Sequence, residues 1–460
     1  MRLHSIARWS RSAGLLVLAA LPAFAQQSAQ PDSLTLAQAV QIALEKNPEH
    51  KAALADTRVA SADVGAARSY LLPHLTFSEA ATRSNDPVYV FGSKLRQQRF
   101  ATPDFALNVL NRPEPYGNFA TRFGGTWNLF DSFASWHGVS RAQRLQEAAG
   151  RQMDRTDQEI VFRVIESYYG VLLAKKQLEV AEQAWKTAQS ILGESRDRFQ
   201  SGVAVESDLL SAQVRLVARQ QDLIRARNNV ALARAQWTSA MGLASQGDFE
   251  LAEALAERTL PAVALEQAVE LALQKRPDLG RVRSEEQVQQ QTVAMAKSAF
   301  GPRINAFAGW EADNPTFVAG GGGNNWMAGI ELQIDLFQGG AKRAQLSRER
   351  AAAEKIAALK QVATDAIRLE VRRAYYEVDA ARQQAEVARA AVEQSQESLR
   401  INQNRYDAGL STISDLLAAE ESARRSQTDY WEAVYHYHTG YAGLELATGI
   451  LTPHSPVVTP

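Results

Sequence analysis

The sequence predicts a mostly α-helical chain that carries membrane-type β-strands and is built as two similar halves. Three observations predict it. Arg198-Phe199-x-x-Gly202, leading to Ser207-Asp208-Leu209-Leu210, returns as Arg405-Tyr406-x-x-Gly409, leading to Ser414-Asp415-Leu416-Leu417, at an offset of 207 residues (405 − 198). No proline lies between Pro115 and Pro261 or between Pro315 and Pro453, and apolar residues recur there at heptad spacing. Short segments of strict apolar–polar alternation precede the heptad-patterned part of each stretch.

At the amino end, Arg2, Arg8 and Arg11 precede an apolar run over residues 14–21, and Ala23-Phe24-Ala25 is a small-x-small cleavage site. Residues 1–25 are expected to be a signal peptide and Gln26 the mature start. The run is too short to span a bilayer, and no later run of about eighteen apolar residues follows. The chain has no cysteine, which excludes disulfides, thiolate metal sites, cysteine nucleophiles and an amino-terminal lipid anchor. A net charge of −1 gives no electrostatic case for nucleic acid.

The first repeat is expected over 26–243, a linker over 244–264, the second repeat over 265–450 and a C-terminal tail over 451–460. Leu36-x-x-Ala39-Val40-x-x-Ala43-Leu44 returns as Leu265-x-x-Ala268-Val269-x-x-Ala272-Leu273, now at an offset of 229 (265 − 36). The difference between the offsets, 22 residues (229 − 207), is an insertion in copy one after Pro73. Short helices are expected over 49–69 and 278–298, each entered after Asn47-Pro48 or Arg276-Pro277.

Strands follow Pro73 and Pro302. Leu75-Thr76-Phe77-Ser78 begins the first. Phe119, Thr121, Phe123, Trp127 and Leu129 share one face of the second, Ile304, Ala306, Ala308 and Trp310 one face of the third, and Ile330, Leu332, Ile334 and Leu336 one face of the fourth. Trp310, Trp326, Trp127 and Tyr116 fit an interfacial aromatic girdle. Four strands cannot close a barrel, for which about eight is the minimum. Open edges are not tolerated in hydrocarbon, so the chain must oligomerise; two copies supply eight strands and three supply twelve.

The long outgoing helix of copy one is expected over 132–200, on the order of 100 Å at ~1.5 Å per residue. Val164, Val171, Leu178, Trp185, Leu192 and Phe199 form a row of large residues, and Ser167, Ala174, Ala181, Ala188 and Ser195 a row of small ones. Copy two repeats both rows. After the glycine the seam resumes with Leu209, Leu216 and Leu223 alternating with Ala212 and Ala226. Each half therefore holds an antiparallel helical hairpin, with Gly202 or Gly409 as the left-handed residue at its tip. Asp208 and Asp415 fall in the first turn of the returning helices, where the dipole favours negative charge.

Taken together, the duplicated Leu-x-x-Ala-Val-x-x-Ala-Leu helix, the entries Ala-Arg-Ser…Pro73 and Ala-Lys-Ser…Pro302, the strand exit Asp335-Leu336-Phe337-Gln338-Gly339-Gly340 and the two hairpin tips resemble the TolC-like outer membrane efflux family over approximately 34–450. The resemblance implies a homotrimer with a twelve-stranded barrel in outer-membrane lipid, continued by a twelve-helix periplasmic tunnel. It implies an exit duct in a tripartite efflux or type I secretion system, docked to an inner-membrane pump through a periplasmic adaptor. It assigns adaptor docking to Arg198, Phe199, Gly202, Val203, Arg405, Tyr406, Gly409 and Leu410. It also assigns the periplasmic aperture to Asp415, with Asp208 beside it; Ala418 stands where the family's best-known members have a second aspartate. The alternative role for both aspartates is stabilisation of a helix terminus.

Other signals carry less. His436 and His438 point to different helix faces and no zinc spacing is present, so no metal, cofactor or catalytic residue is expected. Gly320 to Gly323 lacks the ending of a phosphate loop and reads as an external turn. The prolines of the insertion, Pro87, Pro103, Pro113 and Pro115, mark it as the larger extracellular loop. A periplasmic coiled-coil scaffold without a pore is the rival reading; it would not need duplicated strand pairs.

Overall fold

The structure is a computed structural model, and it describes residues 33–243, 249–318 and 322–459. The expected signal peptide lies outside the described residues, as does part of the glycine run. Chain order is β1 (Ser33–Leu34), α1 (Leu36–Lys46), α2 (Pro48–Ser69), β2 (His74–Ser84), α3 (Pro87–Arg96), a 3-10 turn (Thr102–Phe105), α4 (Leu107–Asn111), β3 (Tyr116–Phe130), α5 (Ala134–Gln200) and α6 (Glu206–Ala240). The second half gives β4 (Glu250–Leu251), α7 (Leu265–Lys275), α8 (Pro277–Ser298), β5 (Arg303–Asn314), β6 (Gly323–Gln333), α9 (Ala341–Asp407) and α10 (Ile413–Thr448).

The two long helices are equal, 67 residues each, and run the length of the helical body. Pro48 and Pro277 sit at the first turns of α2 and α8, where a missing N–H costs nothing. Around these rods the molecule is a wall four elements wide. Nearest the strands the packing order is α2–α5–α8–α9, and toward the tips it is α6–α5–α10–α9. The sheet is also four wide, antiparallel, in the order β2–β3–β5–β6.

Register fixes the faces of the sheet. Phe77, Phe123, Trp310 and Trp326 lie directly across from one another in one row, with Leu75, Ala308 and Ala328 in the next row along that face. The other face carries Ser78, Arg122, Glu311 and Asn325. Two expectations are corrected here. β6 ends at Gln333, so Ile334 and Leu336 lie beyond the ladder. Tyr116 shares the polar face of Asn118 and donates its hydroxyl to Gln97 Oε1 at 2.7 Å, so it does not belong to the aromatic row.

The heptad rows pack as seams. Val164, Val171, Ala174, Ala181, Ala188 and Ser195 are buried on α5, as are Val371, Ala381, Ala385, Ser395 and Tyr406 on α9. The main core gathers at mid-length, where Tyr168 meets Trp237 edge-on at 5.6 Å. Residues 249–264, expected as a linker, are built into it: β4 pairs with β1, and Phe249, Leu251 and Leu255 are buried. The tail does the same through Leu451, Val457 and Val458. A heptad search passes over these segments because their apolar residues follow no period.

Candidate functional site

The hairpin tips are shaped by two glycines. Gly202 has φ +75° and Gly409 φ +72°, the left-handed region. The turns close when Val203 N–H bonds Arg198 O at 2.9 Å and Leu410 N–H bonds Arg405 O at 2.7 Å. The expected docking residues divide into two groups. Arg198 and Tyr406 face the other hairpin: the Arg198 guanidinium lies 4.4 Å over the Tyr406 ring and donates to Asp407 O at 2.8 Å. The Tyr406 hydroxyl meets Ser195 Oγ at 3.3 Å. Phe199, Val203 and Leu410 project into solvent, at 40%, 74% and 70% exposure, and Arg405 is exposed as well. Beneath them, Ile191, Ala212, Tyr406, Ile413, Leu416 and Leu417 form a small core that joins the hairpins.

The two aspartates differ. Asp415 forms a capping box with Thr412: its N–H bonds Thr412 Oγ1 at 3.2 Å, and its carboxylate accepts from the Thr412 N–H at 3.0 Å and hydroxyl at 2.7 Å. Those bonds hold its carboxyl below the usual carboxylate range. In copy one the N-cap is Val205, which offers no side-chain cap to the Asp208 turn.

Sequence reading missed a charged cluster one level above the tips. Arg219 occupies the small-residue row between Ala212 and Ala226, the row that holds Ser426 in copy two. It is 3% exposed and binds Glu420 with two bonds, Nε to Oε1 at 3.0 Å and Nη2 to Oε2 at 2.9 Å. It also bonds Glu421 and, at 3.0 Å, Asp222, while Arg215 and Arg424 close on Glu421 at 3.2 and 2.6 Å. Three cations thus meet three carboxylates, joining α6 to α10. The signal was present as the one position where the α6 row breaks.

A groove of about 600 Å³ runs between α9, α10 and α5, on the side away from α7 and the 260–263 segment. Glu166, Glu370, Glu377 and His436 line it together with Arg373, which pairs with Glu377 at 2.7 Å, and Asp429 and Glu432 line its continuation, so carboxylates predominate. His438 points the other way as expected, stacked on Tyr169 at 4.7 Å and bonded to Ala256 O at 2.9 Å. Among the described residues no group of His, Asp or Glu could hold a metal ion.

The alkaline protease secretion protein AprF of Pseudomonas aeruginosa is 25% identical over 435 residues, 91% of this chain and 85% of that protein. Protein CyaE of Bordetella pertussis is 25% identical over 414 residues, 89% of this chain and 81% of its own. Among solved structures, the outer membrane protein VceC of Vibrio cholerae superposes with a TM-score of 0.76 at 17% identity, covering 90% of this chain and 96% of that one. The model of the outer membrane efflux protein family matches residues 39–243 and 268–450. The chain therefore belongs to the outer membrane efflux protein family, the TolC-like channels that stand in the outer membrane and reach into the periplasm.

Proposed function

We propose that three copies of this chain close into one duct, a twelve-stranded barrel in outer-membrane lipid continued by a twelve-helix tunnel, through which an inner-membrane pump discharges its cargo. The observation that carries this reading is that each layer of the protomer stops with open edges on both sides. β2 and β6 each have one unpaired side. The edge helices each present an exposed apolar heptad row, Leu210, Val217 and Ile224 on α6 and Val362, Leu369 and Tyr376 on α9. The two edges differ in sequence, so they join head to tail and close a ring by rotation.

In the closed ring the acidic groove between α9 and α10 faces the axis, because the mid-length core and α7 cover the opposite side. Phe199, Val203, Arg405 and Leu410, around the turns made by Gly202 and Gly409, form the surface for a periplasmic adaptor. Arg198 and Tyr406 hold the two tips together behind it. The three copies of Asp415, with Asp208 nearby, ring the periplasmic mouth and favour cations. Native mass spectrometry of the detergent-extracted protein tests the assembly. Three copies are expected; a stable monomer or dimer would remove the barrel.

A further inference from the structure

The insertion of copy one folds back onto the polar face of the sheet, at the end remote from the long helices. α3 begins at Pro87, is capped by Asp86 and places Val90, Ser93 and Gln97 along one side, all buried. Gln97 donates to Gly117 O at 3.0 Å and to Asn118 Oδ1 at 2.9 Å, and Asn118 in turn donates to Asp313. Arg96 reaches Glu311 at 3.3 Å, the same carboxylate that Arg122 holds at 2.8 Å. Tyr116, Asn118, Arg122, Glu311 and Asp313 all belong to the face opposite the Phe77–Trp326 row. The approach is close enough that a Cβ on Gly323 would stand 1.7 Å from Arg96 O, which only glycine avoids.

The rest of the insertion braces the helix. Phe100 meets Phe91 at 4.8 Å and Phe105 at 5.0 Å, both edge-on, and Lys94 pairs with Asp104 at 2.7 Å. The helix side turned away from the sheet is apolar and uncovered, with Val88 80% and Leu95 48% exposed. At 100° per residue those two lie about opposite Val90, Ser93 and Gln97. A face that points off the inner wall of a closed barrel points at its axis.

We propose that α3 is a plug inside the extracellular end of the duct, docked to the wall by the Gln97–Asn118–Asp313 and Arg96–Glu311 contacts, and that the plugs of three copies seal against one another through Val88 and Leu95. The proposal rests on the trimeric-barrel reading. The polar wall contacts are few: one partly exposed ion pair, Arg96–Glu311, which water replaces at little cost, and the hydrogen bonds of Gln97 with Tyr116, Gly117 and Asn118, so the plug can be displaced by outgoing cargo.

Because the chain has no cysteine, one introduced thiol reports cleanly on access. Glu331→Cys places it on the polar face of β6, across from Asn305 and nearer the helices than the plug. On intact cells, a maleimide carrying a polyethylene glycol of several kilodaltons should label this variant slowly. Adding Val88→Asp and Leu95→Asp, on the helix side opposite the buried Val90, Ser93 and Gln97, should raise the labelling rate at least tenfold, and Val88→Ala with Leu95→Ala should raise it less. A small maleimide should label all of them alike. Equal rates with the bulky reagent would overturn the plug. Trimers seen by native mass spectrometry beside that result would leave the duct standing, whereas no trimer of the unaltered chain would overturn both.

Discussion

Arg219 shows what one residue does when it breaks a pattern. Taking a guanidinium and a carboxylate out of water is costly, and the excellent geometry with Glu420 offsets that cost without a large surplus. Removing one partner is different, because the other stays buried and uncompensated. Arg219→Leu should destabilise the tip end by about 3–5 kcal/mol, and Arg219→Leu with Glu420→Leu should recover most of it. Thermal unfolding of the four members of this cycle checks the claim; no recovery in the double variant would mean that the cluster acts as one network. Its acid behaviour has a defined sign. Burial works to raise the Glu421 pKa, but bonds from Arg424 and Arg219 prevail and bring it to about 2. The stability this group contributes is present above the ordinary glutamate range and is lost as pH falls toward about 2. Glu445 has the opposite sign: it is 5% exposed, one oxygen lacks a partner, and burial pushes it up to about 7. The folded state then holds a proton that the unfolded chain has released, so stability falls as pH rises from about 4.5 to about 7. Glu445→Gln should flatten that fall in pH-dependent unfolding; an unchanged slope would show that another group titrates.

At the scale of elements, much was legible because long helices repeat their instructions many times. The expected helix over 132–200 and the observed Ala134–Gln200 differ only at the start, where Ser132 and Phe133 take positive φ and end the preceding turn. The strands were found by alternation, and the hairpin tips by glycines that adopt the left-handed conformation. What stayed hidden were elements held by aperiodic contacts, such as the β1–β4 pair, and a loop whose helices are too short to show a period. The prolines of the insertion correctly marked a break in the ladder, but Pro87 starts a helix. Asp415 stands at the boundary of what an element explains. Thr412→Ala and Asp415→Ala each remove the capping box and should cost about 0.5–2 kcal/mol. Only Asp415→Ala removes the charge. If the carboxylate rings the mouth, Asp415→Ala alone should lower cation preference in planar bilayers; equal effects from both would reduce it to a helix cap.

For the whole molecule, the decisive fact is that neither the sheet nor the helical wall is complete within one chain. An unpaired strand edge can be managed in water by charge or by a bulge. In hydrocarbon it must pair, since each unsatisfied backbone group costs several kcal/mol. The helical edges carry the same demand in a weaker form, as apolar rows whose burial is worth roughly 25 cal/mol per Å². Leu369 separates association from folding. It lies on the open side of α9, is 70% exposed, and contributes nothing to the cores inside the chain. Leu369→Glu should therefore leave the helix content of the protomer intact by circular dichroism. It should weaken the trimer in detergent, because three buried carboxylates would face apolar partners across three identical joints. Exposed Glu377, next to Tyr376 in the chain and so about 100° round the helix from it, offers the control: Glu377→Gln sits off the heptad row and should leave assembly unchanged. If Leu369→Glu trimerises as well as the unaltered chain, α9 does not meet its neighbour along this row. The proposed ring would then close through the sheet and another helix face.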